Sequence, residues 1–164
     1  MRDIHLRRNE ILDPPGKKYW PIYKGRDGCR APMQWDASAN AGFSTVQPWL
    51  PVHPDHKERN VAAQQQDPDS LYTFTRDLLH LRKELPALQS GEFIPVMAGR
   101  GILAYERKTE SQSILVVMNF SNRPAKFGLP PGKWEKRFSS VKEARKSMGL
   151  LSPHEVRLII DRPG

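Results

Sequence analysis

The segment 24–52 constrains the fold more than any other part of the chain, because it is typical of a long, shaped loop. Its sequence is KGRDGCRAPMQWDASANAGFSTVQPWLPV. Its three glycines permit backbone turns that other residues resist, and its three prolines exclude a helix through themselves. Two tryptophans argue against disorder, which is poor in aromatic residues. Long loops inside compact folds are usually functional, so we expect the functional residues here.

Composition narrows the classes of partner. The chain has 164 residues, enough for one or two domains, with 26 Lys and Arg against 18 Asp and Glu and a net charge of +8. These basic residues are spread along the chain, without the basic and aromatic ladder of single-strand binders, so we expect no nucleic-acid partner. No apolar run approaches the ~20 residues that cross a bilayer, so we expect no membrane partner.

Cysteine and histidine usage points to a reducing compartment and to no cofactor. Cys29 is the only cysteine, which excludes an internal disulfide, and we expect it to be a small buried residue of a tight loop. His53 and His56 resemble a metal pair but have no third ligand in the pattern, so no metal or other cofactor is predicted. Residues 1–20 are charged and contain proline, unlike a signal peptide, and a cytoplasmic location is predicted.

The residues on either side of the loop predict short helices and then one long helix. A helical piece near 7–12 is expected to end before Pro14. Residues 53–68 are interpreted as a connector with a turn at 54–56. Asp67 or Asp69 is the predicted N-cap of the long helix, which Pro86 ends. Its apolar residues recur at spacings of three and four and share one face. They are Leu71, Phe74, Leu78, Leu81 and Leu85.

From about residue 91 the pattern changes to that of an antiparallel β domain. Strands are predicted at 92–97, where Pro95 indicates a sheet edge, and at 102–107. The run 113–120 is continuously apolar, as in a strand buried on both faces. Further strands are predicted at 125–129, 133–138 and 155–160. No element is assigned to residues 139–152. Short strands between regular turn signals predict a small sandwich.

The loop also resembles a known family. The runs GRDGCRAPMQWD, NAGFS and PWLPV are similar to the α-glucosidase and oligo-1,6-glucosidase branch of the α-amylase superfamily. The similarity continues through EILDPPGKKYWPIYK before the loop and ERNVAAQQQDPDSLYTFTRDLLHLRKELPAL after it. It covers residues 1–121 well and the remainder by pattern.

The resemblance implies an α+β fragment. In the family, the loop follows the eighth strand of a (β/α)8 barrel and forms one wall of the sugar pocket, and the long helix is the last barrel helix. A Greek-key β-sandwich follows. We therefore expect residues 1–90 to be the end of the catalytic barrel and 91–164 to be the C-terminal all-β domain. In the family, the residues just before the counterpart of Met1 belong to the eighth strand, so the resemblance implies that the chain opens just after that strand. The chain is too short for a whole barrel, which needs about 250 residues.

The resemblance also implies a retaining glycoside hydrolase whose catalytic groups lie elsewhere. Such enzymes use two carboxylates that flank the scissile bond. In the family, the nucleophile, the acid and a third carboxylate follow the fourth, fifth and seventh strands, upstream of anything that matches Met1. No catalytic residue is therefore assigned to this chain. It is expected to be inactive alone, and to act on α-glucosides or gluco-oligosaccharides only with the missing N-terminal barrel segment as its partner.

Four residues of the loop are candidate substrate-binding residues. The resemblance places Arg30 where a family arginine points into the sugar pocket, and its guanidinium can hold sugar hydroxyls or a carboxylate. An arginine that pins the loop through backbone carbonyls is the alternative. Asp27 is a weaker candidate, since a salt bridge with Arg26 is expected to brace the loop. Trp35 and Trp49 can stack on glucose rings or pack against the barrel.

Three other functions stay open from the sequence. The first is a stand-alone carbohydrate-binding or accessory module, for which the tryptophans provide the surface. The second is part of a trehalose synthase or sucrose-isomerase-type enzyme, since these enzymes share much of the loop. A basic nucleic-acid binder is the third, and the spread of its charges disfavours it.

Overall fold

The computed structural model describes residues 3–142 and 147–161. The chain divides into two compact units, Met1–Leu78 and Leu79–Gly164. Among the described residues, the first unit consists of short helices and irregular segments, and the second is mostly β-sheet.

Short helices form the regular structure of the first unit. The α-helices are α1 (Pro14–Tyr19) and α2 (Val61–Gln66), and α3 (Leu71–Glu84) begins in this unit. The 3-10 helices are Arg8–Glu10, Asp27–Arg30, Ala39–Gly42 and Pro54–Lys57. The segment 24–52, all of which is described, holds two of these 3-10 helices and neither an α-helix nor a strand. The prediction of a long loop is confirmed.

The chain before the loop is more helical than its prolines indicate. The helix expected near 7–12 is only the 3-10 helix Arg8–Glu10, and α1 begins at Pro14. Proline fits the first position of a helix because the N–H that it lacks would have no partner there. The piece predicted near 7–12 does end before Pro14, and α1 is a further helix that the sequence analysis did not predict.

The predicted connector contains α2, which its cap stabilises. Asn60 Oδ1 accepts a hydrogen bond from the Ala63 N–H at 2.8 Å, and Asn60 Nδ2 donates to the His56 carbonyl at 2.8 Å. An asparagine before a helix-forming run is an N-cap signal, so this helix could have been predicted from the sequence.

The cap of α3 is Ser70 and not Asp67 or Asp69. Ser70 Oγ accepts from the Thr73 N–H at 3.1 Å. The hydroxyl of Thr73 donates in turn to the Asp67 carbonyl at 3.0 Å. The helix ends at Glu84, before Pro86, as the sequence predicts.

The apolar face of α3 is buried only toward its C-terminal end. Leu81 and Leu85 are 8 % and 6 % exposed and join the core of the second unit, whereas Leu71 is 73 % exposed. The predicted apolar face of α3 therefore belongs to the core over its last turn and faces solvent at its start.

Seven strands and the short helix α4 (Pro86–Ser90) build the described part of the second unit. The strands are β1 (Glu92–Gly99), β2 (Ile102–Lys108), β3 (Ser113–Asn119), β4 (Ala125–Lys126), β5 (Trp134–Ser139), β6 (Leu150–Leu151) and β7 (Val156–Asp161). Five of them form an antiparallel sheet in the order β1-β2-β3-β7-β5, and β4 pairs with β6. The predicted C-terminal antiparallel β domain is confirmed, and β1 with Pro95 lies at the sheet edge.

Both faces of β3 are buried, as its continuous apolar run predicts. Leu115 and Val117 face a cluster that includes Phe127 and Leu151, from the side of the two-stranded sheet. Ile114 and Val116 face the opposite cluster, to which the last turn of α3 and α4 contribute. Alternate residues of a strand point to opposite faces, so one central strand serves both layers.

The β domain contains a buried ion pair. Arg157 and Glu155 are both fully buried, and Arg157 Nε donates to Glu155 Oε1 at 2.7 Å. The guanidinium also donates to the carbonyls of Ser147, Met148 and Leu150 at 2.8–3.2 Å. It thereby holds residues 147–150, part of the segment to which the sequence assigns no element. Residues 143–146 of that segment, with Ala144, lie outside the described residues.

Candidate functional site

Asp27 fixes the start of the loop to the preceding segment. Its Oδ2 accepts hydrogen bonds from the backbone N–H groups of Leu12 and Asp13 at 2.6 and 2.8 Å. Asp13 Oδ2 accepts in turn from the Arg26 N–H at 3.0 Å. Asp27 is 1 % exposed, and its Oδ1 has no hydrogen-bond partner among the described residues. The expected salt bridge between Arg26 and Asp27 is wrong, because backbone amides bind this carboxylate.

Close backbone packing completes this base. Gly25 has a φ of +78°, and a Cβ there would lie 2.8 Å from Asp13 Oδ2. Only glycine fits such a conformation at such a distance without strain. Cys29 is exposed, and its Sγ donates to the Arg26 carbonyl at 3.0 Å, so the expectation that it is buried was wrong.

Arg30 ends the 3-10 helix that Asp27 begins. It is exposed, and its guanidinium neither donates a hydrogen bond to nor pairs with any described residue. The alternative in which Arg30 pins the loop through carbonyls does not match this geometry. The arrangement presents five unused donors at the end of a braced turn.

Gln34 anchors the middle of the loop. It is 3 % exposed, and its Nε2 donates to Asp55 Oδ1 at 2.8 Å and to the Arg59 carbonyl at 2.9 Å. The backbone carbonyl of Gln34 accepts a hydrogen bond from the Val61 N–H at 2.9 Å. Partial burial raises the pKa of Asp55, but hydrogen bonds from Gln34 and His53 and the charge of Arg59 outweigh this and leave it below its ordinary value.

A tight turn follows at residues 36–42. Asp36 Oδ1 accepts from both the N–H and the hydroxyl of Ser38, which lowers the pKa of Asp36. Asn40 and Ala41 have left-handed φ values of 53° and 57°. A Cβ at Gly42, with φ +65°, would lie 2.6 Å from Asp36 Oδ2. The carboxylate therefore occupies the space that a side chain at 42 would take.

The two tryptophans remain open to solvent in this chain. Trp35 and Trp49 are 50 % and 65 % exposed. The backbone of Trp35 is held on both sides, because its N–H donates to the Ala41 carbonyl and its own carbonyl accepts from the Ala62 N–H, each at 2.9 Å. The nearby Phe43 is also half-exposed. The loop thus buries its polar braces and presents aromatic rings.

The residues that brace the loop were the ones that sequence reasoning missed. Asp13, Asp55 and the carbonyl of Arg59 position the loop, yet each lies outside the segment 24–52. In the sequence these residues show at most a cap or turn pattern. Their hydrogen bonds to the loop join residues up to 25 positions apart. No group of three or more potential metal ligands occurs among residues 3–142 and 147–161, and no helix in these ranges is long and apolar enough to cross a membrane.

This architecture defines the class of protein. A long aromatic loop held by buried carboxylates, one long helix and a small antiparallel β domain together have the form of the C-terminal part of an α-amylase-type glycoside hydrolase. The family model "Alpha amylase, catalytic domain" matches residues 1–91, and "Maltogenic Amylase, C-terminal domain" matches 92–146. The chain belongs to the alpha-amylase family, which confirms the resemblance.

Curated relatives carry glucosidase names. The chain is 35 % identical over 158 residues to a probable alpha-glucosidase of Rhizobium meliloti (strain 1021), a match that covers 96 % of this chain and 28 % of that protein. It is 40 % identical over 109 residues to an oligo-1,6-glucosidase of Parageobacillus thermoglucosidasius, covering 66 % of this chain and 19 % of the relative. The chain thus spans about a quarter of the length of these relatives.

Solved structures give the same family with other activities in their names. An alpha-glucosyl transfer enzyme, XgtA, superposes with a TM-score of 0.82 at 34 % identity, over 99 % of this chain and 31 % of the other. The trehalulose synthase MutB from Pseudomonas mesoacidophila MX-45 superposes with a TM-score of 0.77 at 30 % identity, over 99 % of this chain and 34 % of the other.

Proposed function

We propose that this chain forms the C-terminal part of an α-glucosidase-like glycoside hydrolase that acts on short α-linked gluco-oligosaccharides. In this proposal residues 1–90 supply a pocket wall and the last barrel helix, and 91–164 form the β domain. The observation that carries it is the exposed guanidinium of Arg30, which pairs with no described residue and lies on a loop whose base is held by hydrogen bonds to Asp27. The names of the glucosidase relatives support the choice of substrate.

Arg30 is assigned to sugar binding. A guanidinium offers planar, permanently charged donors that suit both hydroxyl pairs and a carboxylate. Next to a catalytic carboxylate its charge would favour the ionised form and lower that group's pKa. Asp27 is proposed to position Arg30 three residues further on in the same 3-10 helix, through the hydrogen bonds that hold its Oδ2.

Trp35 and Trp49 are proposed to contact the apolar faces of glucose rings. Both side chains are half-exposed or more, so aromatic surface is available to a ligand or to the rest of a barrel. Aromatic rings contribute large contact area with little loss of side-chain entropy.

The catalytic carboxylates are proposed to come from a segment upstream of this chain. Hydrolysis needs two carboxylates on either side of the scissile bond. The three loop and turn carboxylates have other roles here: Asp27 binds amides, Asp36 binds Ser38, and Asp55 binds Gln34. The chain alone is therefore expected not to hydrolyse glucosides. Its single cysteine supports the further proposal of a cytoplasmic location.

A chimera tests this function. This chain would replace the matching C-terminal part of the R. meliloti relative, and hydrolysis of p-nitrophenyl α-glucoside would be measured. We expect activity in the chimera and a loss of about 10- to 100-fold in kcat/KM for Arg30→Ala, as for the loss of charge-assisted hydrogen bonds. Arg26→Ala, a second exposed arginine of the same loop, is the control and should stay within about twofold. Equal effects of the two substitutions would refute the role of Arg30.

Glucosyl transfer or isomerisation is the second candidate reaction. It is favoured by the superposition on proteins named as an alpha-glucosyl transfer enzyme and a trehalulose synthase. Product analysis of the same chimera with sucrose distinguishes the two, because a hydrolase releases equal glucose and fructose whereas an isomerase yields a new disaccharide.

A further inference from the structure

A groove in the second unit lies between the β2–β3 hairpin and the loop that precedes β5. Its volume is about 310 Å³. Trp134 and Pro130 line one side, and Glu106, Gln112 and Asp161 line the rest. The groove thus combines one aromatic ring with several hydrogen-bonding side chains.

Trp134 is fixed in this groove. Its Nε1–H donates to the Pro130 carbonyl at 2.9 Å, and the side chain also packs against the buried cluster of the β domain. A Cβ at Gly132, with φ +148°, would lie 2.9 Å from Trp134 Nε1. The ring is therefore pre-organised, and a ligand would lose little entropy in ordering it.

In each of two carboxylates of the groove, one oxygen accepts a hydrogen bond that orients the group, and the other oxygen is available to a ligand. Glu106 Oε1 accepts from the Ser113 hydroxyl at 2.6 Å. Asp161 Oδ1 accepts from the Lys133 N–H at 3.1 Å. The second oxygen of each accepts no hydrogen bond from a residue that the structure describes. Each can accept a charge-assisted hydrogen bond from a ligand hydroxyl.

Gln112 adds an oriented donor. Its Oε1 accepts from the Ala87 N–H at 3.0 Å, which turns the amide so that Nε2 has no partner in the described part of the chain. Glu106, Glu110 and Asp161 outnumber the single cation of the lining, Lys108, in a chain of net charge +8. This local negative charge disfavours phosphates and other anions.

We propose that this groove is a sugar-binding site of the β domain, which holds one glucosyl unit of a neutral α-linked gluco-oligosaccharide. The pyranose would place its apolar face on Trp134 and its hydroxyls on Glu106, Asp161 and Gln112. The choice of glucosyl ligand depends on the proposed function, whereas the choice of a neutral polyol comes from the aromatic ring and the paired acceptors and donor.

The test is a titration of the full ¹⁵N-labelled chain with isomaltotriose, followed by NMR. We expect saturable shifts of the Trp134 indole and the Gln112 side-chain amide, and no dependence on salt. Trp134→Leu should weaken binding, read at Gln112, by about tenfold or more. Trp134→Phe is the matched control, since it also loses the bond to Pro130 but keeps a ring, and it should stay within about threefold.

A second variant keeps the test independent of folding. Gln112→Glu preserves the acceptor for the Ala87 N–H and replaces the free donor with a charged acceptor, so it should fold and bind the sugar about tenfold more weakly. Absence of shifts at saturating sugar would overturn the proposal. So would a salt-dependent response to spermidine without a response to the sugar, because that result would mark a cation site.

This experiment fails or succeeds separately from the proposed function. The indoles of Trp35 and Trp49 report on the loop, and Trp134 reports on the groove. Binding at the groove needs no catalysis, so it can be lost while the chimera hydrolyses glucosides. Conversely, groove shifts can persist in a chimera that is inactive.

Discussion

Replacing Arg157 by methionine should destabilise the β domain strongly. The substitution removes four hydrogen bonds from a fully buried guanidinium, to Glu155 and to three carbonyls of residues 147–150. It also leaves Glu155 buried without its cation. Breaking a buried pair from one side costs about 3–5 kcal/mol, a large share of the ~5–15 kcal/mol that stabilises a typical domain.

Urea unfolding of the chain, followed by far-ultraviolet circular dichroism, measures this cost. With a slope of about 1–3 kcal/mol per molar urea, the midpoint for Arg157→Met should fall by roughly 2 M. Arg137→Met is the control: Arg137 pairs with Glu84 at 2.9 Å, but the two side chains are 48 % and 60 % exposed. A surface pair of this kind contributes less than about 1 kcal/mol. If both substitutions shift the midpoint equally, the reasoning from burial is refuted.

Three further predictions concern the turns and the pH dependence. Gly42→Ala should destabilise the first unit by about 1 kcal/mol or more in thermal unfolding, because its Cβ would lie 2.6 Å from Asp36, whereas Gly128→Ala, with no atom within 4 Å, should be nearly neutral. Arg100→Asn should raise the unfolding free energy by roughly 0.5 kcal/mol, because Arg100 has a φ of 51° in a two-residue hairpin turn that favours asparagine. The pKa of Asp55 is lowered in the folded chain, so its stabilising contribution is present above its ordinary pKa and is lost as the pH falls through the lower folded value. Asp55→Asn should therefore flatten the dependence of the unfolding free energy on pH in the acid range. An unchanged dependence would contradict this.

Periodicity made the β domain predictable from the sequence. The continuous apolar run of β3 required a central strand, and Pro95 required an edge, since proline cannot donate to a neighbouring strand. Both expectations are met by the sheet order. The two-residue strands β4 and β6 are too short for a periodic signal, and only their position over Leu115 and Val117 makes them part of the core.

The loop was predictable as a loop but not in its internal bonding. Glycine and proline spacing excluded regular structure, yet no local pattern shows that Asp27 binds amides 14 and 15 positions away or that Gln34 reaches Asp55. These contacts depend on how distant backbone segments meet. Ser70 was missed as the cap of α3 because Asp67 and Asp69 are equally good caps by residue type.

The roles of Arg30, Asp27, Trp35 and Trp49 in substrate binding stay predictions, as does the domain boundary near residue 90. The structure places Arg30 and both tryptophans at the surface and buries Asp27. This arrangement agrees with a division in which Asp27 supports the loop and the other three meet a ligand.

The most direct measurement is the release of p-nitrophenol from its α-glucoside by the pure 164-residue chain. We predict no release above the buffer rate, because the carboxylates of the loop are bound within the chain and the catalytic pair is proposed to come from an upstream segment. Saturable release that is abolished by Arg30→Ala would contradict it, since the chain would then contain its own catalytic acids.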